Sequence, residues 1–136
     1  MKVVLDHGAI MPTRAHELDA GYDLYSPEDV IVEAKDSAFI DIGVHIEIPQ
    51  RFVGFIKSKS GLNVNHGIVS EGVIDAGYTG SIKVKLYNHG GYDYKVKKGD
   101  KVSQLVILPI VTPELELVEK LDDTDRGSNG FGSTGR

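Results

Sequence analysis

The chain has no cysteine among its 136 residues. Disulfides and thiolate-bound metals are therefore excluded, and the composition suits a reducing compartment such as the cytoplasm. Long apolar runs are also missing. Nothing approaches the ~20 residues needed to span a bilayer, so no membrane contact is expected. The first ten residues, MKVVLDHGAI, are too short and too soon acidic for a secretory leader. Positive charge is in deficit, with a net charge of −5, which argues against a protein that coats a nucleic-acid polymer. A site for an anion must then gather its positive charge locally. The five histidines, His7, His16, His45, His66 and His89, are scattered without the clustering of a metal site. No long stretch keeps a helical period, and no internal repeat is found.

What is present is alternation. In FIDIGVHIEIP, Ile40, Ile42, Val44, Ile46 and Ile48 alternate with Asp41, Gly43, His45 and Glu47, the pattern of a half-buried strand. SIKVKLY repeats it, with Ile82, Val84 and Leu86 inward and Lys83 and Lys85 outward. QLVILPIV and PELELVE are further strands, the first apolar enough to be buried on both faces. SPED, YNHGGYD and KKGDK supply turns between them. SGLNVNHGI, residues 60–68, is suited to one short helix ending before Gly67. The length fits one domain, and the expected architecture is an all-β sandwich or jelly roll. After Asp122 the alternation is gone, and the remainder reads as an arm.

Several stretches carry chemistry. SKSGL, residues 58–62, sets two serines, a lysine and a glycine where a strand gives way to the helix, a composition suited to an anion. Ser60 as a helix N-cap explains it equally. In EGVIDAGYTG, residues 71–80, Asp75 is either a turn former or a general base. Tyr78 offers a flat face with a polar tip, for a ligand or for the sheet. AGYDLYS places Asp23 in an apolar setting, and GDKVSQLV sets Gln104 opposite in facing to Leu105. The tail RGSNGFGSTGR is glycine-rich, as disordered ends commonly are. It also holds phosphate donors in Arg126, Ser133 and Thr134 and a ring, Phe131, that can stack on a base.

Together and in this order, AGYDLYS, SKSGL, GVIDAGYTG, GDKVSQLV and RGSNGFGSTG resemble the five motifs of the trimeric dUTPase family, over residues 20–135. The resemblance implies a jelly-roll subunit (residues 1–121), a C-terminal arm (122–136), and a homotrimer whose shared active sites take motifs from more than one subunit. Extended, the arm reaches up to ~50 Å, against a radius of gyration of roughly 14 Å for the whole chain. It implies hydrolysis of dUTP to dUMP and pyrophosphate, with Asp75 as the base that activates water. Tyr78 packs under the deoxyribose. A hairpin through Val69–Asp75, with Gly72, Val73 and Ile74, reads uracil. Lys59, Ser60, Gly61, Lys83, Gln104 and Arg126 contact substrate, Phe131 stacks on uracil, and Gly132, Ser133 and Thr134 hold terminal phosphates. Asp23 and Gln104 hold waters on a Mg²⁺ that rides on the triphosphate. Three positions depart from the family pattern: Lys59 for Arg, Val69 for a common Asn, and Asn129 for a frequent Gly. Two alternatives stand beside this reading: a dCTP deaminase of the same fold, using a glutamate such as Glu71, and a nucleotide-sensing regulator.

Overall fold

The computed structural model describes residues 1–130. Ten strands and one short helix follow one another as β1 (Val3–Leu5), β2 (Gly21–Tyr25), β3 (Val30–Val32), β4 (Ser37–Asp41), β5 (Val44–Ile46), β6 (Phe52–Lys57), α1 (Ser60–His66), β7 (Ile68–Ile74), β8 (Lys83–Asn88), β9 (Tyr94–Val96) and β10 (Lys101–Pro109). A six-stranded sheet has the order β2-β10-β6-β7-β8-β4, and two ribbons, β1-β5 and β3-β9, complete the fold. Every pairing is antiparallel. The expected jelly-roll-type β architecture is what forms.

Alternation decides the core. Ile40, Ile42, Val44, Ile46 and Ile48 are all buried, as are Ile82, Val84 and Leu86, while Lys83 and Lys85 face solvent. The expected single strand through FIDIGVHIEIP is instead two, β4 and β5. Gly43, at φ 65°, sits in the left-handed region that glycine enters without a Cβ penalty. The chain turns there from the six-stranded sheet into the β1 ribbon, and both halves still point their isoleucines into one core.

Two expectations fail in part. QLVILPIV does form a strand, but burial fades along it: Leu105 is fully buried, whereas Leu108 and Ile110 are exposed. The register gives the cause. β2 covers β10 only as far as Val106, and beyond that β6 alone pairs with it. Among the described residues, PELELVE has no strand partner. Leu115 and Leu117 stand wholly in solvent there.

The helix forms where expected. It closes at Gly67, φ 68°, whose N–H bonds the carbonyls of Asn63 and Leu62. Its N-cap, however, is Lys59, with no side-chain cap hydrogen bond. Ser60 is the first helical residue, so the capping explanation of its hydroxyl does not hold. Among the described residues, no helix is long and apolar enough to cross a membrane.

Candidate active site

β7 organises the site because it changes partner along its length. Its first half pairs with β8, Ile68 to Ser70 opposite Asn88 to Leu86. Its second half pairs with β6, Glu71 to Ile74 opposite Lys57 to Gly54. The stretch Val69–Asp75, expected as a hairpin, is thus almost wholly this one strand. The reversal comes after it, in the turn that opens at Asp75, where the Tyr78 N–H donates to the Asp75 carbonyl (3.0 Å).

Beyond the strand end, Val73, Ile74, Asp75, Tyr78, Ser81 and Lys83 line one open cavity of ≈ 180 Å³. Four of these six were expected to contact substrate and Asp75 to be the base; Ser81 was not expected. Asp75 is exposed, as a base that must reach water requires. Tyr78 is fixed: its hydroxyl donates to the Ser81 carbonyl (2.9 Å), and its ring lies over Gly80, where a Cβ would come within 2.6 Å of Cζ. Val69 is half-buried opposite Tyr87, and Gly72 half-buried opposite Ile56.

At the other end of the β6–β7 pairing lies a second group. Gln104 and Asp23 are register partners across β10 and β2, and Gln104 also faces Lys57 across β6. Asp23 is buried and accepts hydrogen bonds from the ammonium groups of Lys59 and Lys101, the latter at 2.7 Å. Burial pushes its carboxyl up, but the hydrogen bonds and positive charge of Lys101 and Lys59 outweigh this and hold it below the ordinary carboxylate range. Gln104 Nε2 donates to the Ser58 carbonyl (3.0 Å), and its Oε1 occupies the space a Cβ on Gly21 would need. Behind them, Ser70 and Ser103 share a buried hydroxyl contact (2.8 Å). Ser103 also donates to the Lys57 carbonyl, and Ser58 receives the Ser70 N–H. Ser58 belongs to the marked SKSGL, whereas Ser70, Ser103, Lys101 and Gly21 are site residues that the sequence did not single out. Lys101 and Ser103 lie inside GDKVSQLV, and Gly21 inside AGYDLYS, so the segments were marked but not these members. Ser60 and Gly61 are exposed beside this group, with open space around Gly61.

The two groups sit at opposite ends of a pairing four residues long, about 10 Å from end to end at ordinary strand rise. One chain therefore does not bring Asp75 and Tyr78 together with Asp23, Lys59 and Gln104. Arg126 is exposed, its Nε donating to the Asn129 carbonyl (3.0 Å) in a local turn. Phe131, Gly132, Ser133 and Thr134 lie outside the described residues. Glu71 is held by Lys57, whose ammonium meets both carboxylate oxygens at 2.8 and 3.0 Å.

The donor set decides how Mg²⁺ can sit here. Among the described residues, no three carboxylate or imidazole groups cluster as a metal cage. Asp23 spends one hydrogen-bonding position of each oxygen on a lysine, and an ionised carboxylate has about four such positions. Direct coordination between two ammonium groups does not fit. A hydrated ion carried on phosphate oxygens does, because Mg²⁺ keeps several of its waters.

An all-β subunit with a carboxylate and a fixed tyrosine at one strand end, and a lysine pair around a buried aspartate at the other, defines a protein of phosphorylated-ligand chemistry. The comparisons with known proteins narrow the class. The dUTPase family model matches residues 7–135. The deoxyuridine 5'-triphosphate nucleotidohydrolase of Clostridium acetobutylicum is 44% identical, over 96% of this chain and 92% of that one. The protein of the same name from Solanum lycopersicum is 46% identical, over 96% and 78%. Among solved structures, the dUTPase of Staphylococcus bacteriophage 80alpha with dUpNHpp superposes with a TM-score of 0.93 at 35% identity, covering 99% of this chain and 98% of that one. A variant dUTPase from phage phi11 of S. aureus, described with a structural Mg(II) ion, superposes at 0.81 and 35% identity, over 88% and 96%. The chain belongs to the dUTPase family.

Proposed function

We propose that the chain hydrolyses dUTP to dUMP and pyrophosphate, in a site assembled from more than one copy of the subunit. The observation that carries this reading is the cavity in which Asp75, Tyr78 and Lys83 meet at the end of β7. At ≈ 180 Å³ it is below the 300–1,000 Å³ of a complete small-ligand pocket. It suits the sugar and the reacting phosphate, while the lysine group suits the remaining phosphates. A copy that sets its own Lys59 end against a neighbour's Asp75 end completes the site. The unpaired PELELVE segment supports the same assembly, because Leu115 and Leu117 stand wholly in solvent and no described residue covers them. A homotrimer, with residues 122–136 as an arm that reaches a neighbour's site, is the form the family resemblance implies.

In the reaction, the Asp75 carboxylate takes a proton from a water molecule. The water oxygen attacks the α-phosphorus in line, the bond from that phosphorus to the α,β-bridging oxygen breaks, and pyrophosphate leaves. Positioning and charge neutralisation supply most of such a rate enhancement. Lys59 and Lys101 bring two positive charges and Asp23 removes one, so this corner of the protein carries a net +1 for the phosphates. Ser60, Gly61 and Arg126 add donors, with Phe131 against the base and Gly132, Ser133 and Thr134 on the terminal phosphates. The immobilised Tyr78 ring closes the space a ribose 2′-hydroxyl would need. β7 residues from Val69 to Ile74 face the base. Asp23 and Gln104 would hold Mg²⁺ through its waters; when bound, the ion neutralises phosphate charge. A chain without cysteine suits a reducing cytoplasm for this work. The deaminase alternative is disfavoured by Glu71, whose carboxylate is engaged by Lys57 on both oxygens.

The test is pyrophosphate release from dUTP, dTTP, dCTP and UTP by the wild type and Asp75→Asn. Wild type is expected to prefer dUTP and release no ammonia from dCTP. Asp75→Asn is expected to bind dUTP and to turn over roughly 10²–10⁴-fold more slowly, the usual worth of one general base. Turnover within a few-fold of wild type would remove Asp75 from that role.

A further inference from the structure

The turn that presents Asp75 and Tyr78 is held at three places. Inside the turn, the Tyr78 N–H bonds the Asp75 carbonyl. At its far end, Ser81 Oγ donates to Asp41, and Ile82 is tied by its backbone to Ile42 and Val44. Between these, directly after Tyr78, the Thr79 carbonyl accepts from His45 Nδ1 at 2.8 Å. The other ring nitrogen of His45, Nε2, lies 3.2 Å from Asp6 Oδ2. A carbonyl and a carboxylate are both acceptors without a proton to give. A neutral imidazole carries one N–H and satisfies one of them. The imidazolium carries two and satisfies both.

The geometry points to His45 as a positioning residue for the catalytic turn: its imidazolium bridges Asp6 to the Thr79 carbonyl and holds Tyr78 in place, and this latch loosens when the ring loses its proton. The inference rests on the placement of Asp75 and Tyr78 in the active site. His45 stands on β5, outside that cavity, and with Thr79 it lines a separate one of ≈ 460 Å³ together with Lys2, Val4, Ile46 and Glu47. The charged groups facing it from the elements packed around it are Asp6 after β1 and Asp41 at the end of β4, with Lys2 and Glu47 on the cavity wall. Lys2 and Glu47 pair with each other at 2.9 Å, and Lys83 lies 3.9 Å from Asp41, which leaves Asp6, at 3.2 Å, as the closest charge on the ring. The hydrogen bond to Thr79, then that to Asp6, and with them the charges of Asp6 and Asp41, hold the imidazole above its usual range against an opposing effect of desolvation. A raised histidine pKa means that the latch is complete below the ordinary value of about 6.5. It opens as pH rises through the higher folded value.

The test compares kcat/KM for dUTP from pH 5.5 to 9 in the wild type, His45→Gln and Asp6→Asn. Substrate ionisations are common to all three proteins and drop out of the ratios. Relative to His45→Gln, whose amide donates to Thr79 at any pH, wild type is expected to lose about 2- to 5-fold as His45 deprotonates, the reach of one partly exposed charged contact. Asp6→Asn is expected to move that inflection to lower pH. Amide exchange at Tyr78–Gly80 over the same range reads the latch without reference to catalysis, and is expected to quicken with pH beyond its intrinsic dependence in wild type but not in His45→Gln. A wild-type ratio flat across this range, or an unchanged inflection in Asp6→Asn, would overturn the inference. So would turn amides that behave alike in wild type and His45→Gln. Failure of the active-site reading would show separately, as retained turnover in Asp75→Asn.

Discussion

At Gly80 the side chain is a single hydrogen, and the Tyr78 ring occupies the space a methyl group would take. An alanine Cβ there would meet the ring at Cζ (2.6 Å) and Cε2 (2.9 Å). The ring is the free end of a side chain on an open turn, so it can swing aside at little cost to the fold. Gly80→Ala is therefore expected to leave the melting temperature within a few degrees of wild type. It should raise activity on UTP relative to dUTP, because the displaced ring no longer closes the sugar's 2′ face. The ratio of kcat/KM for the two nucleotides, set beside a thermal melt, checks both halves. A ratio that stays put would mean the sugar is gated by another residue. Lys59 illustrates a different limit at this scale. The sequence marks it as a lysine standing for arginine, which keeps charge and gives up the two-pronged fork. It does not reveal that the ammonium is already shared with a buried aspartate and balanced by Lys101.

Among the elements, β6 is closely packed under the site. Gly54 lies opposite Ile74, the last residue before Asp75. A Cβ on Gly54 would meet Ile48 Cδ1 at 2.8 Å, Leu105 Cδ1 at 2.9 Å and Ile74 Cβ at 3.3 Å. Gly54→Ala is expected to cost about 1–3 kcal/mol through overpacking. It should appear as a lower denaturant midpoint with an unchanged slope, and with a loss of dUTP turnover as Ile74 is pushed outward. Strands such as β4, β5 and β8 were legible because period-two alternation is a local property, written in Ile40 to Ile48 and Ile82 to Leu86. What alternation could not show is where a strand changes sheet at Gly43, or where β7 changes partner after Ser70. Those outcomes depend on which strand arrives alongside, and that information lies tens of residues away. The same holds for the site. Asp75, Tyr78, Asp23 and Gln104 were marked by their motifs. Their division between two ends of the sheet, and the serine contacts behind Gln104, follow from register.

For the whole molecule, the exposed alternation of residues 113–119 is the decisive feature. Leu115 and Leu117 are fully accessible, and burying a leucine stabilises by about 1.5–3 kcal/mol. In the proposed homotrimer the pair is repeated in every subunit. Leu115→Ser with Leu117→Ser is expected to leave each subunit folded, because neither residue touches the core. It should lower the mass measured by light scattering from trimer to monomer and abolish dUTP turnover at assay concentrations. A double variant that remains trimeric and active would assign the subunit interface to other surfaces. No property of this segment read alone distinguishes a strand paired at home from one paired abroad, which is why PELELVE reads as an ordinary strand in the sequence.

That unpaired segment also sets an order of events in time. The sheet and its core close within one chain, at a speed that dilution does not alter. In the proposed assembly the leucine pairs wait for a collision. During the wait each subunit shows an unpaired apolar segment of the kind that invites indiscriminate stacking, and Glu114, Glu116 and Glu119, interleaved with the apolar residues, repel like copies. After denaturant is withdrawn, β structure should therefore return at a fixed rate, and catalysis should follow later, sooner in a concentrated solution than in a dilute one.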